Sequence, residues 1–330
     1  MHSVRDADLI DKTVIVWTDL DVPLENGQVV EKARLLSSSK TIKFLLEQKA
    51  KVILLGHLGR PEGRDPNFSL KPVVASLSQL VGKPIELLSE VQKPTSDLAC
   101  LENIRFWPEE EAREENFAKQ VALLGECYVN DCFATSHHAG ATMLFLPKFL
   151  PPFIGIALEE EVHELASVMR NPKRPLVAIL AGAKLETKLP AITNMSKIAD
   201  KVLVAGKLMF EFKEKISNVI VASDDVDGAD IGPVSIQSFQ DEIAKAATVV
   251  WNGTMGKYED ERYLNGTKAI AQAVVASGCY SVVGGGDTAA ALSKIGLLSK
   301  IAYVSMGGGA MLDFLAGKKL AGLEAIGYYD

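Results

Sequence analysis

Two glycine triplets separated by a single crossover, Gly284-Gly285-Gly286-Asp287-Thr288 and Gly307-Gly308-Gly309-Ala310, constrain this chain more than any other feature. Each closes a strand-like run (Cys279 to Val283; Ile301 to Val304) and opens an apolar helical run (Ala289 to Ile295; Met311 to Leu315). A strand-glycine-helix order presents backbone N–H groups at a helix N-terminus, where they and the helix dipole hold phosphate. Successive parallel strands of a βαβ unit lie close together. Both turns are therefore expected at one crevice, with Asp287 placed to hold the cation of a nucleotide phosphate. One triplet alone would be better explained by a turn needing positive φ. The pair, followed by Asp-Thr, favours a polyanion.

At 330 residues the chain exceeds the size that one core usually serves, so two domains are expected, and 48% hydrophobic residues are ample to fill them. The net charge of -7 at pH 7 argues against a broad nucleic-acid surface and leaves room for a local basic pocket, making small anions the expected partners. Met1 to Asp8 is too polar for a secretory signal, and the apolar stretch Met143 to Leu158 is broken by Pro147, Lys148, Pro151 and Pro152. A cytoplasmic chain without membrane contact is expected. Cys100, Cys127, Cys132 and Cys279 lack zinc-ligand spacing and read as buried free thiols.

Short β-branched runs alternate with helical patterns in the first half: Thr13 to Trp17, Ala33 to Gln48, Lys51 to Leu55, Leu70 to Val81. The rhythm resumes after Pro175 with strands at Leu176 to Leu180, Val202 to Ala205 and Thr248 to Trp251. This pattern predicts an α/β chain of two doubly wound, Rossmann-like parallel-sheet domains, with ligands at the C-terminal ends of the strands. Between the halves, Leu158, Val162, Leu165 and Met169 space an amphipathic helix over 157–171, the expected interdomain linker.

Those strand ends carry the candidate chemistry. In the first half, Arg34, His57, Arg60, Arg105 and His138 lie in or beside strand-end loops and together predict a basin for a small polyanion; taken singly, each is better read as a solvated surface group. In the second half, Lys184 and Lys188 sit four residues apart, so both ammonium groups are expected on one face of a helix's first turns with phosphate between them, or else as ordinary exposed lysines. Asn252-Gly253 follows another strand, and Glu259 beyond it suits ribose hydroxyls or solvent. No Ser-His-Asp set, Cys-His pair or His cluster points to covalent or zinc catalysis. Cations and backbone donors without an evident nucleophile fit direct phosphoryl transfer.

The chain resembles the phosphoglycerate kinases almost end to end. The likeness rests on Asp19-Leu20-Asp21-Val22-Pro23, Gly56-His57-Leu58-Gly59-Arg60-Pro61, Leu101-Glu102-Asn103-Ile104-Arg105-Phe106, Val129-Asn130-Asp131, Gly182-Ala183-Lys184, Asp230-Ile231-Gly232-Pro233, Trp251-Asn252-Gly253 and both triplets. The resemblance implies a monomeric, hinge-bending enzyme that moves phosphate between 1,3-bisphosphoglycerate and Mg2+-ADP, giving 3-phosphoglycerate and ATP. It implies a glycerate-binding domain over 1–156, a hinge helix over 157–171, a nucleotide domain over 172–310 and a segment over 311–330 returning to the first domain. Asp19, Asp21, Arg34, His57, Arg60, Arg105 and His138 would bind the glycerate substrate. Gly182, Ala183, Lys184, Lys188, Gly206, Gly232, Asn252, Glu259, Gly284, Gly285, Gly286, Asp287 and Thr288 would bind nucleotide, with Asp287 on the magnesium. Arg34, Lys184 and Lys188, with backbone N–H groups around Gly286 and Gly309, would stabilise the migrating group.

The chain departs from the family's pattern at several positions: Asp21 stands where asparagine is usual, His138 and Trp17 where arginine is, Gly140 where histidine is, and Lys207 where glycine is. The stretch from Phe212 to Asp230 is also shorter than the family's. These departures motivate an alternative, a non-catalytic or substrate-shifted relative that binds nucleotide or another acyl phosphate.

Overall fold

The computed structural model describes residues 1–138 and 140–330, which divide into two compact units: Met1–Glu161 together with Lys319–Asp330, and Val162–Lys318.

The first unit is built on six parallel strands, β1 (Thr13–Trp17), β2 (Lys51–Leu55), β3 (Glu86–Leu88), β4 (Leu98–Leu101), β5 (Cys127–Asn130) and β6 (Pro152–Ile154), in the order β3-β4-β2-β1-β5-β6. The central strands are apolar along their length because helices cover both faces of a parallel sheet. Val16, opposite Leu54 and Val129, is fully buried among Leu35, Ile42 and Leu45 of the helix Ala33–Glu47. Pro152 opens the short strand β6, a position where its missing N–H is tolerated.

The second unit repeats the architecture with β7 (Leu176–Leu180), β8 (Lys201–Val204), β9 (Val219–Val221), β10 (Thr248–Asn252), β11 (Tyr280–Gly284) and β12 (Tyr303–Ser305). All pairings are parallel and the order is β9-β8-β7-β10-β11-β12. The chain winds outward from β7, then returns to place β10 on the other side. A crevice opens between the ends of β7 and β10, the position where dinucleotide-type sheets bind ligands.

The expected α/β fold with two parallel sheets is what the chain adopts. The strands β3, β4, β5, β6 and β9, three or four residues long, are not among the runs read from the sequence, whereas the equally short β8 and β12 are. The helix linking the sheets spans Ile156–Arg170, and the division between the units falls inside it, after Glu161. The return to the first unit begins at Lys319 rather than at residue 311, because the helix Gly308–Leu315 packs on the helix Leu185–Ile198, where Asn194 Nδ2 donates to Leu315 O at 2.8 Å. Past that point the helix Ala321–Ala325 packs on Ala141–Phe149, and Asn130 Nδ2 donates to Gly322 O at 3.1 Å. Cys100, Cys127 and Cys132 are buried, Cys279 is half-buried, and all four are free thiols. Among the described residues no helix is long and apolar enough to cross a membrane.

Candidate active site

In the second unit the loops after β7, β8, β10 and β11 enclose a cavity of about 370 Å³. Glycines at its floor let backbone meet backbone. Gly253 has φ +101°, and a Cβ there would lie 1.9 Å from Ala181 O; a Cβ on Gly206, φ +68°, would lie 2.7 Å from Gly182 N. The turns after β7, β8 and β10 are thus locked together at the crevice. Gly285, φ +101°, leads into the helix Gly286–Lys294, whose first turn has no side-chain cap and exposes Gly286 and Asp287. A Cβ on Gly308 would lie 3.2 Å from Gly285 Cα, so the two triplets stand side by side. Free N–H groups in that first turn, with the dipole behind them, make an anion site.

Lys188 is the buried cation of this cavity, 9% exposed, and its ammonium donates to Asn252 Oδ1. Burial lowers its pKa to about 8, against the pull of Asp287 that raises it. Thr288 is fully buried and accepts from Gly253 N at 2.8 Å, tying the β10 loop to the first turn after β11. Asp287 is exposed on that turn, hydrogen-bonded to the Tyr258 hydroxyl. Lys294 Nζ holds the loop above by donating to Tyr258 O at 3.1 Å and Glu259 O at 3.3 Å.

Of the residues read as a nucleotide site, Gly182, Ala183, Lys184, Lys188, Gly206, Asn252, Glu259, Gly285, Gly286, Asp287 and Thr288 line this one cavity. Two of those positions, Gly284 and Gly232, and Gly309, read as a donor to the migrating group, lie outside its lining. Gly284 ends β11 against the Met311 sulfur. Gly309 is exposed in the first turn of Gly308–Leu315. Gly232 faces Asp224, whose carboxylate accepts from Val234 N at 2.9 Å and Ser235 N at 2.7 Å and so fills the N-terminus of the helix Pro233–Ile243. The paired-lysine geometry is also corrected. The helix begins at Leu185, with Lys184 as an extended N-cap residue, so Lys184 is exposed while Lys188 alone is buried. Met209, Phe210 and Tyr258 also line the cavity; the one available signal was their position just beyond strand ends.

In the first unit the candidate residues form a hydrogen-bonded chain across the ends of β1, β2 and β4. Arg34 Nη1 donates to Asp19 Oδ2 at 2.7 Å, and Asp21 N donates to Asp19 Oδ1 at 3.3 Å. The Asp21 carboxylate accepts from Gly59 N at 2.8 Å and stands 3.6 Å from His57 Nε2. Burial works to raise the Asp21 pKa, but His57 and the Gly59 N–H outweigh it and hold the carboxyl well below the usual range. Arg105 Nη1 donates to Gly59 O at 2.6 Å and its Nε to Glu111 Oε1 at 2.8 Å, and Glu111 Oε2 lies 3.0 Å from His138 Nε2. Arg60 is exposed beside this chain. The expected basin of cations is therefore a set of cation-carboxylate pairs. Glu111 was not legible, because a run of three glutamates reads as a solvated face.

A glycine-lined cavity at a sheet's switch point, on a chain with a second doubly wound sheet, places this chain among the two-sheet α/β proteins suited to phosphate-bearing ligands. The phosphoglycerate kinase family profile matches residues 4–223 and 213–318, the two matches meeting at the shortened segment. The chain is 37% identical to the phosphoglycerate kinase of Dictyoglomus turgidum over 385 positions, covering 98% of this chain and 97% of that one. It is 36% identical to that of Aquifex aeolicus, covering 96% of each. The solved phosphoglycerate kinase from Coxiella burnetii superposes with a TM-score of 0.85 at 31% identity, covering 98% of both chains, and that from Pyrococcus horikoshii with 0.86 at 26%, covering 99% and 98%. The chain belongs to the phosphoglycerate kinase family.

Proposed function

We propose that the chain catalyses reversible phosphoryl transfer from 1,3-bisphosphoglycerate to ADP, giving 3-phosphoglycerate and ATP. The observation that carries this reading is the buried Lys188 ammonium in a cavity that also receives the uncapped N-terminus of Gly286–Lys294. A cation and oriented N–H groups in one enclosed place stabilise charge on a migrating phosphoryl group, with no covalent step required. The loops after β7, β8 and β10 take the nucleoside, and the first turn after Gly285 takes its phosphates. Glycerate binds in the first unit, where Asp19 aims the Arg34 guanidinium.

Among the described residues no cluster of three acidic, His or Cys side chains forms a self-sufficient metal site. Magnesium commonly relies on one or two carboxylates plus substrate phosphates, and Asp287, exposed at the phosphate-binding turn, fits that demand. Bound there with ADP or ATP, the ion would neutralise phosphate charge. Lys188 holds the transferring oxygens, and Arg34 meets the acyl phosphate from the glycerate side when the units close about the helix Ile156–Arg170. Closure excludes water that would otherwise compete for the phosphoryl group. The reading is completed by a monomer acting in the cytoplasm.

Steady-state kinetics with 3-phosphoglycerate and ATP test this. Arg34→Ala should lower kcat by about 100-fold or more, as the loss of a transition-state donor does. Absence of turnover in the wild type, or an unchanged kcat in the variant, refutes the assignment.

A further inference from the structure

The small recess at the ends of β1, β2 and β4 is lined by His57, Arg105, His138, Glu110 and Glu111, and has room for only about 10 Å³. That is no more than one water requires, and a phosphate group is several times larger. The two carboxylates differ in how firmly they are held. Glu110 is 3% exposed and accepts from Thr142 N and Thr142 Oγ1, both at 2.9 Å, so it is fixed. The Glu111 side chain is 45% exposed and bridges Arg105 Nε at 2.8 Å and His138 Nε2 at 3.0 Å. Its two oxygens take the positions on these donors that an incoming anion would need.

We propose that Glu111 is a resident counter-ion of the glycerate site, which the phosphate of the substrate displaces from Arg105 and His138. Three features support the exchange. Glu111 and His138 are 45% and 39% exposed and so only weakly held to one another, while Arg105, 12% exposed, exchanges one anion for another and is never left unpaired. The released carboxylate has solvent beside it. Arg105 stays aimed after the exchange because its Nη1 remains bonded to Gly59 O at 2.6 Å, leaving the Nε edge of the guanidinium to the ligand. Glu111 thus sets selectivity: an anion strong enough to replace it enters, and a neutral hydroxyl does not. This inference rests on the functional reading above for the identity of the ligand.

Calorimetry of the full-length wild type, Glu111→Gln and Arg105→Gln tests it, with 3-phosphoglycerate, glycerate and inorganic phosphate as probes. Glu111→Gln should bind 3-phosphoglycerate and inorganic phosphate roughly two- to five-fold more tightly, the release of one exposed pair. Glycerate, which lacks the phosphate, should bind all three proteins alike. Arg105→Gln should weaken both phosphate-bearing probes. If Glu111→Gln binds 3-phosphoglycerate and phosphate no more tightly than the wild type, Glu111 is a positioning residue for Arg105 and the proposal is overturned; equal tightening for glycerate overturns it as well. If inorganic phosphate follows the expected ranking while 3-phosphoglycerate binds to none of the three, the counter-ion role stands and the substrate assignment falls.

Discussion

The Lys188 ammonium, on the second turn of the helix after β7, donates to the side-chain carbonyl of Asn252 at the end of β10, spanning the crevice where the second sheet reverses direction. The two residues therefore fix the cation within the cavity. On the proposed reading, a donor held in place in this way needs no reorganisation during transfer.

Lys188→Ala should lower kcat by about 100-fold or more while leaving the protein folded. The pH dependence has a definite sign. Burial outweighs Asp287 and brings the Lys188 pKa to about 8, from 10.5 in the unfolded chain. As pH rises through about 8 the free enzyme loses this ammonium, and kcat/KM for nucleotide should fall with it. Stability runs the other way: between about 8 and 10.5 the unfolded chain binds one more proton than the folded one, so unfolding free energy rises with pH. Lys188→Met should abolish that rise in denaturant titrations. A kcat/KM profile flat to pH 9 would contradict the assignment.

Asp19 should act through Arg34. Its side chain is 10% exposed and holds Nη1 at 2.7 Å, so removing it leaves the guanidinium charged but unaimed. Asp19→Ala is expected to cut kcat by about ten- to a hundred-fold, the scale of loss from slight misplacement. Asp19→Asn, which keeps an acceptor for the guanidinium, should recover part of it. A KM effect with kcat intact would instead assign Asp19 to ground-state binding.

Gly253→Ala tests the lock between strand-end turns. Its Cβ would fall 1.9 Å from Ala181 O at φ +101°, so backbone has to move. Gly278→Ala is the reference: φ is +65°, nothing lies within 4 Å, and only the left-handed backbone is penalised, by about 1–2 kcal/mol. Urea titration should show Gly253→Ala to be the more destabilised of the two, and nucleotide affinity should fall in that variant alone.

What the sequence made legible were the features that repeat along it. The apolar runs at Thr13–Trp17, Lys51–Leu55, Leu176–Leu180 and Thr248–Asn252 are long enough to show strand character, and the loops after them are marked by glycine, histidine and charge. The rest depends on tertiary placement. Nothing local distinguishes Lys184 from Lys188, yet a helix that starts at Leu185 exposes one and buries the other. Gly232-Pro233 has the look of an open helix N-terminus, and the carboxylate that fills it comes from Asp224, eight residues earlier. Within Glu109-Glu110-Glu111, Glu110 is buried on Thr142 and Glu111 is paired with Arg105 and His138, all supplied by other segments. Periodicity reports which face is apolar; it does not report which polar groups from distant segments will meet.

The helix that links the sheets is anchored by one buried carboxyl. Asp131, just past β5, accepts from Ala157 N at 2.9 Å and Leu158 N at 3.2 Å with Oδ1, and a Cβ on Gly155 would lie 2.2 Å from that oxygen. Among the described residues no hydrogen-bond partner reaches Oδ2. Burial raises the pKa to about 7, against the Thr41 hydroxyl and the two backbone N–H groups that lower it. Since the unfolded value is 3.8, the folded chain binds the extra proton between about 4 and 7, and this group's contribution to stability falls as pH rises across that window. Asp131→Asn keeps an oxygen for the helix N-terminus and removes the charge, so it should flatten the pH dependence and match or exceed wild-type stability at pH 7. Asp131→Ala removes the cap and should cost about 1–2 kcal/mol at pH 5, where the wild-type carboxyl is protonated and the comparison isolates the lost hydrogen bonds. Denaturant titrations at pH 5 and pH 7 on the three proteins read both effects. A pH slope in Asp131→Asn as steep as in the wild type would show that another group titrates there.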